Sequence, residues 1–137
     1  MKVMVIVKAN ADSEAGRLPS QQELAEMGAF NEQLVAAGIM LAGEGLHATQ
    51  RGRRIHFGNA APRVEAGPFG PPHDQIAGFW LWEVRSLEEA VEWASRAPFG
   101  SGGTLELRPL ISAEDFGEAF TPELQQQEQR LRAQLEE

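Results

Sequence analysis

The stretch Gly67–Val84, GPFGPPHDQIAGFWLWEV, joins a turn rich in proline and glycine to the most apolar strand of the chain. That strand is predicted over Ile76–Val84. One of its faces carries Trp80 and Trp82, and the other carries a phenylalanine and a leucine. A strand that is apolar on both faces must be covered on both. Helices of the same chain can cover one face, and a second copy of the sheet is the economical cover for the other.

The two tryptophans point to the same side of the predicted strand because they are two residues apart. We interpret them as core or dimer-interface residues in preference to a ligand-stacking wall, since aromatic side chains dominate the energetics of cores and interfaces. Trp80 is nevertheless kept as a candidate ligand-binding residue, because Gly78 beside it leaves room for a large ring.

Length and composition favour a single domain without covalent or metal cross-links. A chain of 137 residues can bury a self-supporting core. It contains no cysteine, which excludes a thiol nucleophile, a disulfide framework and a cysteine zinc site. The formal net charge is −8, and basic residues cluster only at Arg51, Arg53 and Arg54, which argues against binding to DNA or RNA.

The first ten residues, MKVMVIVKAN, have too few apolar side chains for a signal peptide or a membrane span. They predict instead a first strand over Lys2–Lys8, again apolar on both faces. Together with the absence of cysteine, this favours a cytoplasmic protein without a membrane partner.

The rest of the domain alternates strands and helices. Ser20 and Glu23 form a capping box, and a helix is predicted over residues 21–37. The further predicted elements are, in order, strand Ile39–Leu46, a hairpin of Arg51–Phe57 and Pro62–Glu65, strand Ile76–Val84, a helix opened by Ser86, and strand Thr104–Leu110. This order predicts an α+β fold, a ferredoxin-like antiparallel sheet with helices on one face. The topology places the two doubly apolar strands in the middle of the sheet.

The composition changes beyond residue 110. We predict one domain over residues 1–110 and a helical extension over residues 111–137. The extension would contain a short helix over Ser112–Phe120 and a helical arm that starts at Thr121 and Pro122. Because the arm carries a single stripe of leucines, it would lie across its own domain or a partner subunit, or form an exposed tail.

Glu44 is the first candidate for chemistry, because it stands between two glycines at the end of an apolar strand. It would either project into a partly dry pocket, where its pKa would rise and it could act as an acid or base, or be a solvated carboxylate at a turn. His47 follows three residues later and could share that pocket.

His73 and Asp74 are the second candidates, and they would point apart if the backbone there is extended. They provide too few ligands for a metal ion of fixed geometry, so no metal site is predicted. The motif GPFGPP predicts a rigid turn anchored by Phe69, and Gly67 and Pro68 would place it at the same pocket. The sequence contains no phosphate-cradling loop or nucleophile elbow, so no cofactor is predicted.

Several spaced motifs resemble one known family. These are AAGIMLAGEGL (36–46), GPF (67–69), IAGFWLWEV (76–84), SLEEAVEWASRAP (86–98) and ELRPL (106–110). In this order they resemble the YCII-related proteins, specifically the subgroup with the DGPF motif. The resemblance implies a homodimeric α/β barrel in which two ferredoxin-like sheets pack face to face.

The chain departs from the family pattern at two places. The aspartate of the DGPF motif is replaced by Ala66, so no role of that aspartate is carried over. Shorter YCII-like members are thought to use a histidine on the first helix, and residues 20–38 contain none.

Three functions follow as hypotheses. The first is binding or sensing of a small molecule, acidic or aromatic, in a barrel pocket near Glu44, His47, the GPF turn and Trp80. The second is a cofactor-independent isomerase or lyase that acts by proton transfer, with Glu44 or His73 as the base. The third is a regulatory partner domain, which the resemblance links to sigma-factor signalling and which would act through the C-terminal arm.

Overall fold

The structure is a computed structural model that describes residues 1–136. Its strands are β1 (Lys2–Lys8), β2 (Met40–Gly45), β3 (Arg53–His56), β4 (Arg63–Ala66), β5 (Ile76–Glu83) and β6 (Leu105–Pro109). Its α-helices are α1 (Ala11–Glu14), α2 (Gln21–Ala36), α3 (Leu87–Ala94) and α4 (Pro122–Glu136). Three short 3-10 segments lie at Thr49–Arg51, Pro72–Asp74 and Ala113–Ala119.

The main sheet has four antiparallel strands in the order β2-β5-β1-β6. The two doubly apolar strands are therefore in its middle, and the last strand is at an edge. The hairpin of β3 and β4 forms a separate two-stranded sheet. The α+β class, the ferredoxin-like strand order and the C-terminal helix are confirmed.

The core forms where α2 and α3 cover one face of the sheet. On that face Val3 is paired with Trp82, and Val5 with Trp80. All four side chains are buried, and Phe30 and Leu34 of α2 and Ala90 of α3 pack against them. The helix cover was expected from the apolar spacing in α2 and from the serine caps, and both Ser20 and Ser86 accept a hydrogen bond from the backbone N–H three residues later.

No other part of residues 1–136 packs over the centre of the opposite face of the sheet. Its centre consists of four partly buried apolar side chains, Met4, Ile6, Phe79 and Leu81. Around them lie charged residues of both signs, which the pairing register places on the same face: Lys2, Glu83, Glu106 and Arg108. We refer to these eight residues as the open sheet face.

The segment between β1 and α2 contains α1, a helical turn that is absent from the elements predicted from the sequence. Asn10 accepts a hydrogen bond from the backbone of Ser13, and the Ser13 hydroxyl oxygen accepts one from the backbone of Asn10. This reciprocal cap stabilises a single helical turn despite the polar sequence.

The C-terminal segment follows the predicted order of a short helix and then a helical arm. Thr121 caps α4 by accepting a hydrogen bond from the Leu124 N–H, and the arm leaves Leu131 and Leu135 exposed. None of the helices within residues 1–136 is long and apolar enough to cross a membrane.

Substitution of Gly78 by alanine is expected to destabilise the fold. A Cβ at this position would lie 2.9 Å from the carbonyl oxygen of Glu44, so β2 and β5 would have to move apart. We expect a loss of about 1–3 kcal/mol in the free energy of unfolding, measured by urea denaturation. Gly45, which is paired with Gly78, is the matched control, because a Cβ there meets nothing within 4 Å. Equal losses for Gly78→Ala and Gly45→Ala would contradict this packing.

Candidate functional site

An inner cavity of about 290 Å³ lies between the sheet and α2. Its walls are mainly apolar, and the side chains that define it are Val7, Met27, Trp80 and Phe99. The polar side chain of Asn31 also lines it. A concave, mostly apolar space with few polar groups is the usual form of a small-molecule site.

Glycines create the space for this cavity at facing positions of β2 and β5. Gly43 is paired with Trp80 and Gly45 with Gly78, and all three glycines line the cavity. A Cβ at Gly43 would approach the Trp80 ring and the Met40 side chain to 2.8 Å, whereas a Cβ at Gly45 would meet open space. The open part of the cavity floor is therefore the backbone at Gly45, which a flat ligand can approach closely.

Trp80 is held in place from three sides. Its indole N–H donates to Oδ1 of Asn31 at 2.9 Å. Phe30 and Phe99 pack edge-on against it, with ring centroids at 5.8 and 6.3 Å. Since Oδ1 of Asn31 accepts this hydrogen bond, the side-chain NH2 of Asn31 remains as a donor at the cavity wall. The indole is thus a fixed wall, and Asn31 is the group that can orient a polar substituent of a ligand.

Glu44 lies at this cavity, but its side chain is exposed rather than enclosed. It is paired with Phe79, whereas the neighbouring Gly43 is paired with Trp80. Because side chains alternate along a strand, the carboxylate of Glu44 projects from the open sheet face and only its backbone borders the cavity. Of the two arrangements considered from the sequence, the structure has the solvated one.

The GPF turn lies elsewhere, against the segment that follows β2. The peptide bond between Gly67 and Pro68 is cis. A Cβ at Gly67 would lie 1.8 Å from the carbonyl oxygen of Thr49, so only glycine fits. The N–H of Phe69 donates to the Thr49 hydroxyl at 3.3 Å. These contacts join the GPF turn to the segment around Thr49. The turn lies outside the lining of the inner cavity.

The ring of Phe69 lies under the guanidinium of Arg54, which stacks on it at 4.2 Å from the ring centroid. Arg54 also lies 3.5 Å from the side-chain oxygen of Gln75, a buried polar residue. The cation thus joins the hairpin, the turn and the start of β5.

Glu14 and Thr49 complete this cluster, and the sequence analysis did not single out either residue. The carboxylate of Glu14 accepts hydrogen bonds from both the backbone N–H and the hydroxyl of Thr49. The two residues are 35 positions apart, and neither belongs to a local motif. Only knowledge of which loops meet could have indicated the contact.

The remaining candidate residues are exposed and lie apart from the inner cavity. His47 contacts only the guanidinium of Arg51 among the residues of the structure, at 3.0–3.1 Å. His73 and Asp74 do not point apart, because the backbone forms a 3-10 turn there and brings Nε2 and Oδ1 to 3.4 Å. No cluster of three potential metal ligands occurs in the described part of the chain.

Glu65 is paired with His56 across the hairpin. Nε2 of His56 lies 2.8 Å from the Glu65 carboxylate. This hydrogen bond, with smaller contributions from the histidine charge and two arginines, holds the pKa of Glu65 below its ordinary value. Arg108 and Glu106 on β6 form an exposed ion pair at 3.3 Å.

Comparison with known proteins identifies the family of the chain. The model of the YCII-related domain matches residues 1–114. The chain belongs to the YCII-related family. Assignment to the subgroup with the DGPF motif stays a prediction. Among curated proteins, no sequence matches this chain.

One solved structure similar to this YCII-related chain is 5-chloro-2-hydroxyhydroquinone dehydrochlorinase from Burkholderia phenoliruptrix AC1100, in complex with 2,5-dihydroxybenzoquinone. The two sequences are 18% identical, and the TM-score is 0.45. The alignment covers 84% of this chain and 99% of the dehydrochlorinase chain.

In this YCII-related protein, Gly67→Ala is expected to release the GPF turn from Thr49. The added methyl group cannot be accommodated at 1.8 Å from a backbone oxygen, so the turn must move and the stacking of Arg54 on Phe69 is lost. We expect a loss of about 2–4 kcal/mol in the free energy of unfolding, measured by chemical denaturation. Gly58→Ala in the neighbouring hairpin loop is the control, since nothing lies within 4 Å of its Cβ position. A Gly67→Ala protein as stable as this control would contradict the close contact between the GPF turn and Thr49.

Proposed function

We propose that this YCII-related protein binds a small, flat, aromatic molecule in the inner cavity. The observation that supports the proposal is the combination of a fixed indole wall at Trp80 with an open floor of glycine backbone beside it at Gly45. A flat ring can fill such a slot with good contact on both sides. Asn31 would donate its free amide hydrogens to one polar substituent of the ligand.

The charges around the cavity favour an uncharged ring over an acidic one. No lysine, arginine or histidine belongs to its lining, and Glu44 is the ionisable residue at its border. A carboxylate placed inside would lose water without gaining a cation. For this cavity we therefore propose an aromatic ligand and not an acidic one.

The proton-transfer alternative has less support. A general base must lie within hydrogen-bond reach of the proton that it removes. Glu44 projects from the other face of the sheet, and His73 lines a different cavity. Binding is accordingly the function that we propose for the inner cavity.

A binding experiment with 2-naphthamide, an uncharged flat probe, tests this proposal. We expect saturable binding by isothermal titration calorimetry, weakened at least about tenfold by Gly45→Leu. The leucine would grow into the cavity without strain, because a Cβ at Gly45 meets nothing within 4 Å. Gly28→Leu is the control, since its Cβ position on α2 is also open and lies outside the cavity. Equal affinities for the wild type and Gly45→Leu would refute binding at this site.

We also propose that the protein is a homodimer formed through the open sheet face. Its apolar centre and its rim of both charge signs have the composition of a protein interface. A two-fold interface uses the same surface of both copies, so a rim that carries both charge signs can pair with itself. The second sheet would supply the missing cover for Met4, Ile6, Phe79 and Leu81.

Placing a charge at the centre of the open sheet face is expected to separate the subunits. Leu81→Glu would bury an unpaired carboxylate in the dimer, so light scattering should change from twice the 15.0 kDa chain mass to a single chain mass. Val35→Glu is the control, because Val35 is 62% exposed on α2, away from the sheet face. A wild-type protein that is monomeric at micromolar concentration would rule out this dimer.

A further inference from the structure

A second cavity of about 480 Å³ lies at the end of β1, and it shares no lining residue with the inner cavity. Its wall is formed by the end of β1, the residues that lead into α1, the 3-10 turn with His73 and the glycine-rich approach to β6. We call it the basic groove, defined by Lys8, Asn10, His73 and Thr104.

The charge of the basic groove is opposite to that of the chain. The sequence has 20 acidic against 12 basic residues. In the groove, however, the ionisable lining residues are Lys8 and His73, and no carboxylate lines it. The nearby Asp74 contacts His73 from outside this lining, with both side chains largely exposed. The adjoining cavity shares Lys8, Asn10 and Thr104 with the groove and carries Asp12 and Glu23, but both of these acids are paired with Arg17. An anion in the groove therefore meets positive charge, and the acids of the adjoining cavity are already paired.

Lys8 is the principal cation of the basic groove. Its side chain is half-buried, whereas lysine is among the residues most often fully exposed. Within residues 1–136 Lys8 forms no ion pair. Arg17, which follows α1, is by contrast bound by both Asp12 and Glu23. A partly desolvated ammonium without a counter-ion gains most from an anionic ligand.

The other three residues of the groove offer further donors. Asn10 uses its side-chain oxygen to cap α1, so its amide hydrogens remain available. The carbonyl of Thr104 accepts from the Lys8 N–H, and its hydroxyl makes no hydrogen bond within the structure described. His73 uses Nε2 toward Asp74 and retains Nδ1. The set is rich in donors and suits an oxyanion.

We propose that the basic groove binds an oxyanion, a carboxylate or phosphate group, with Lys8 as the principal contact. The oxyanion is either a free ion or an acidic substituent of a larger ligand, and both use the same donors. The acidic ligand that the sequence suggested would accordingly place its charge here and not in the inner cavity.

The test is an NMR titration of the full-length protein with three probes: inorganic phosphate, 2-naphthoate, and 2-naphthamide as the uncharged twin of the naphthoate. We expect phosphate or naphthoate to shift the amides of Lys8 and Gly102–Thr104 in a saturable way, and naphthamide to leave them unchanged. Phosphate acting alone would identify a free ion. Naphthoate shifting the groove and the Trp80 indole N–H in one step would identify a substituent of the cavity ligand.

Variants of two cations give the matched control, since Lys8 lines the groove and Arg130 is an exposed residue of α4 outside its lining. We expect Lys8→Met to weaken oxyanion binding about tenfold, Lys8→Arg to restore most of it, and Arg130→Met to leave it unchanged. The proposal is overturned if neither anion produces saturable shifts at millimolar concentration, or if Lys8→Met binds as the wild type does. If naphthamide does not shift the Trp80 indole N–H signal, the inner-cavity proposal alone is contradicted.

Discussion

The structure depends on how the indole of Trp80 is fixed between the sheet and α2. One hydrogen bond to Asn31 and edge contacts with two phenylalanines hold the ring in one orientation. Trp82 is fully buried beside it and completes the core under α2. The Trp80 ring packs directly on Gly43, its partner on β2, but Gly45 two residues further along β2 carries no side chain and leaves a slot beside the indole. The same aromatic pair thus belongs to the core on one side and to a ligand wall on the other.

The GPF turn and the segment around Thr49 have a structural role outside the inner cavity. The GPF turn grips the Thr49 segment so closely that its glycine tolerates no side chain. Arg54 and Gln75 extend this contact to the hairpin and to β5. Ala66, which precedes the turn, lies on β4 in the hairpin and is paired with Arg53. The turn therefore joins the hairpin to the residue before β5 and does not line the inner cavity.

The sequence was sufficient for the fold because its strongest signals were local. Two apolar faces identified β1 and β5 as the central strands, and serine caps placed the starts of α2 and α3. The site was harder to predict. Whether Glu44 faces the cavity or the open sheet face depends on the register between β2 and β5, in which one irregularity precedes it. The contact between Glu14 and Thr49, and the groove built around Lys8, arise where loops distant in sequence meet, which no local pattern reports.

The central claim is that a flat ring occupies the slot between Trp80 and the glycine floor. A crystal structure with 6-bromo-2-naphthamide tests it most directly, since the anomalous scattering of bromine locates the ligand without bias from the protein. The account predicts a bromine peak among Met27, Trp80 and Phe99, with the carboxamide of the ligand within hydrogen-bond distance of Asn31. A ligand bound at the GPF turn instead, with the slot left empty, would contradict it.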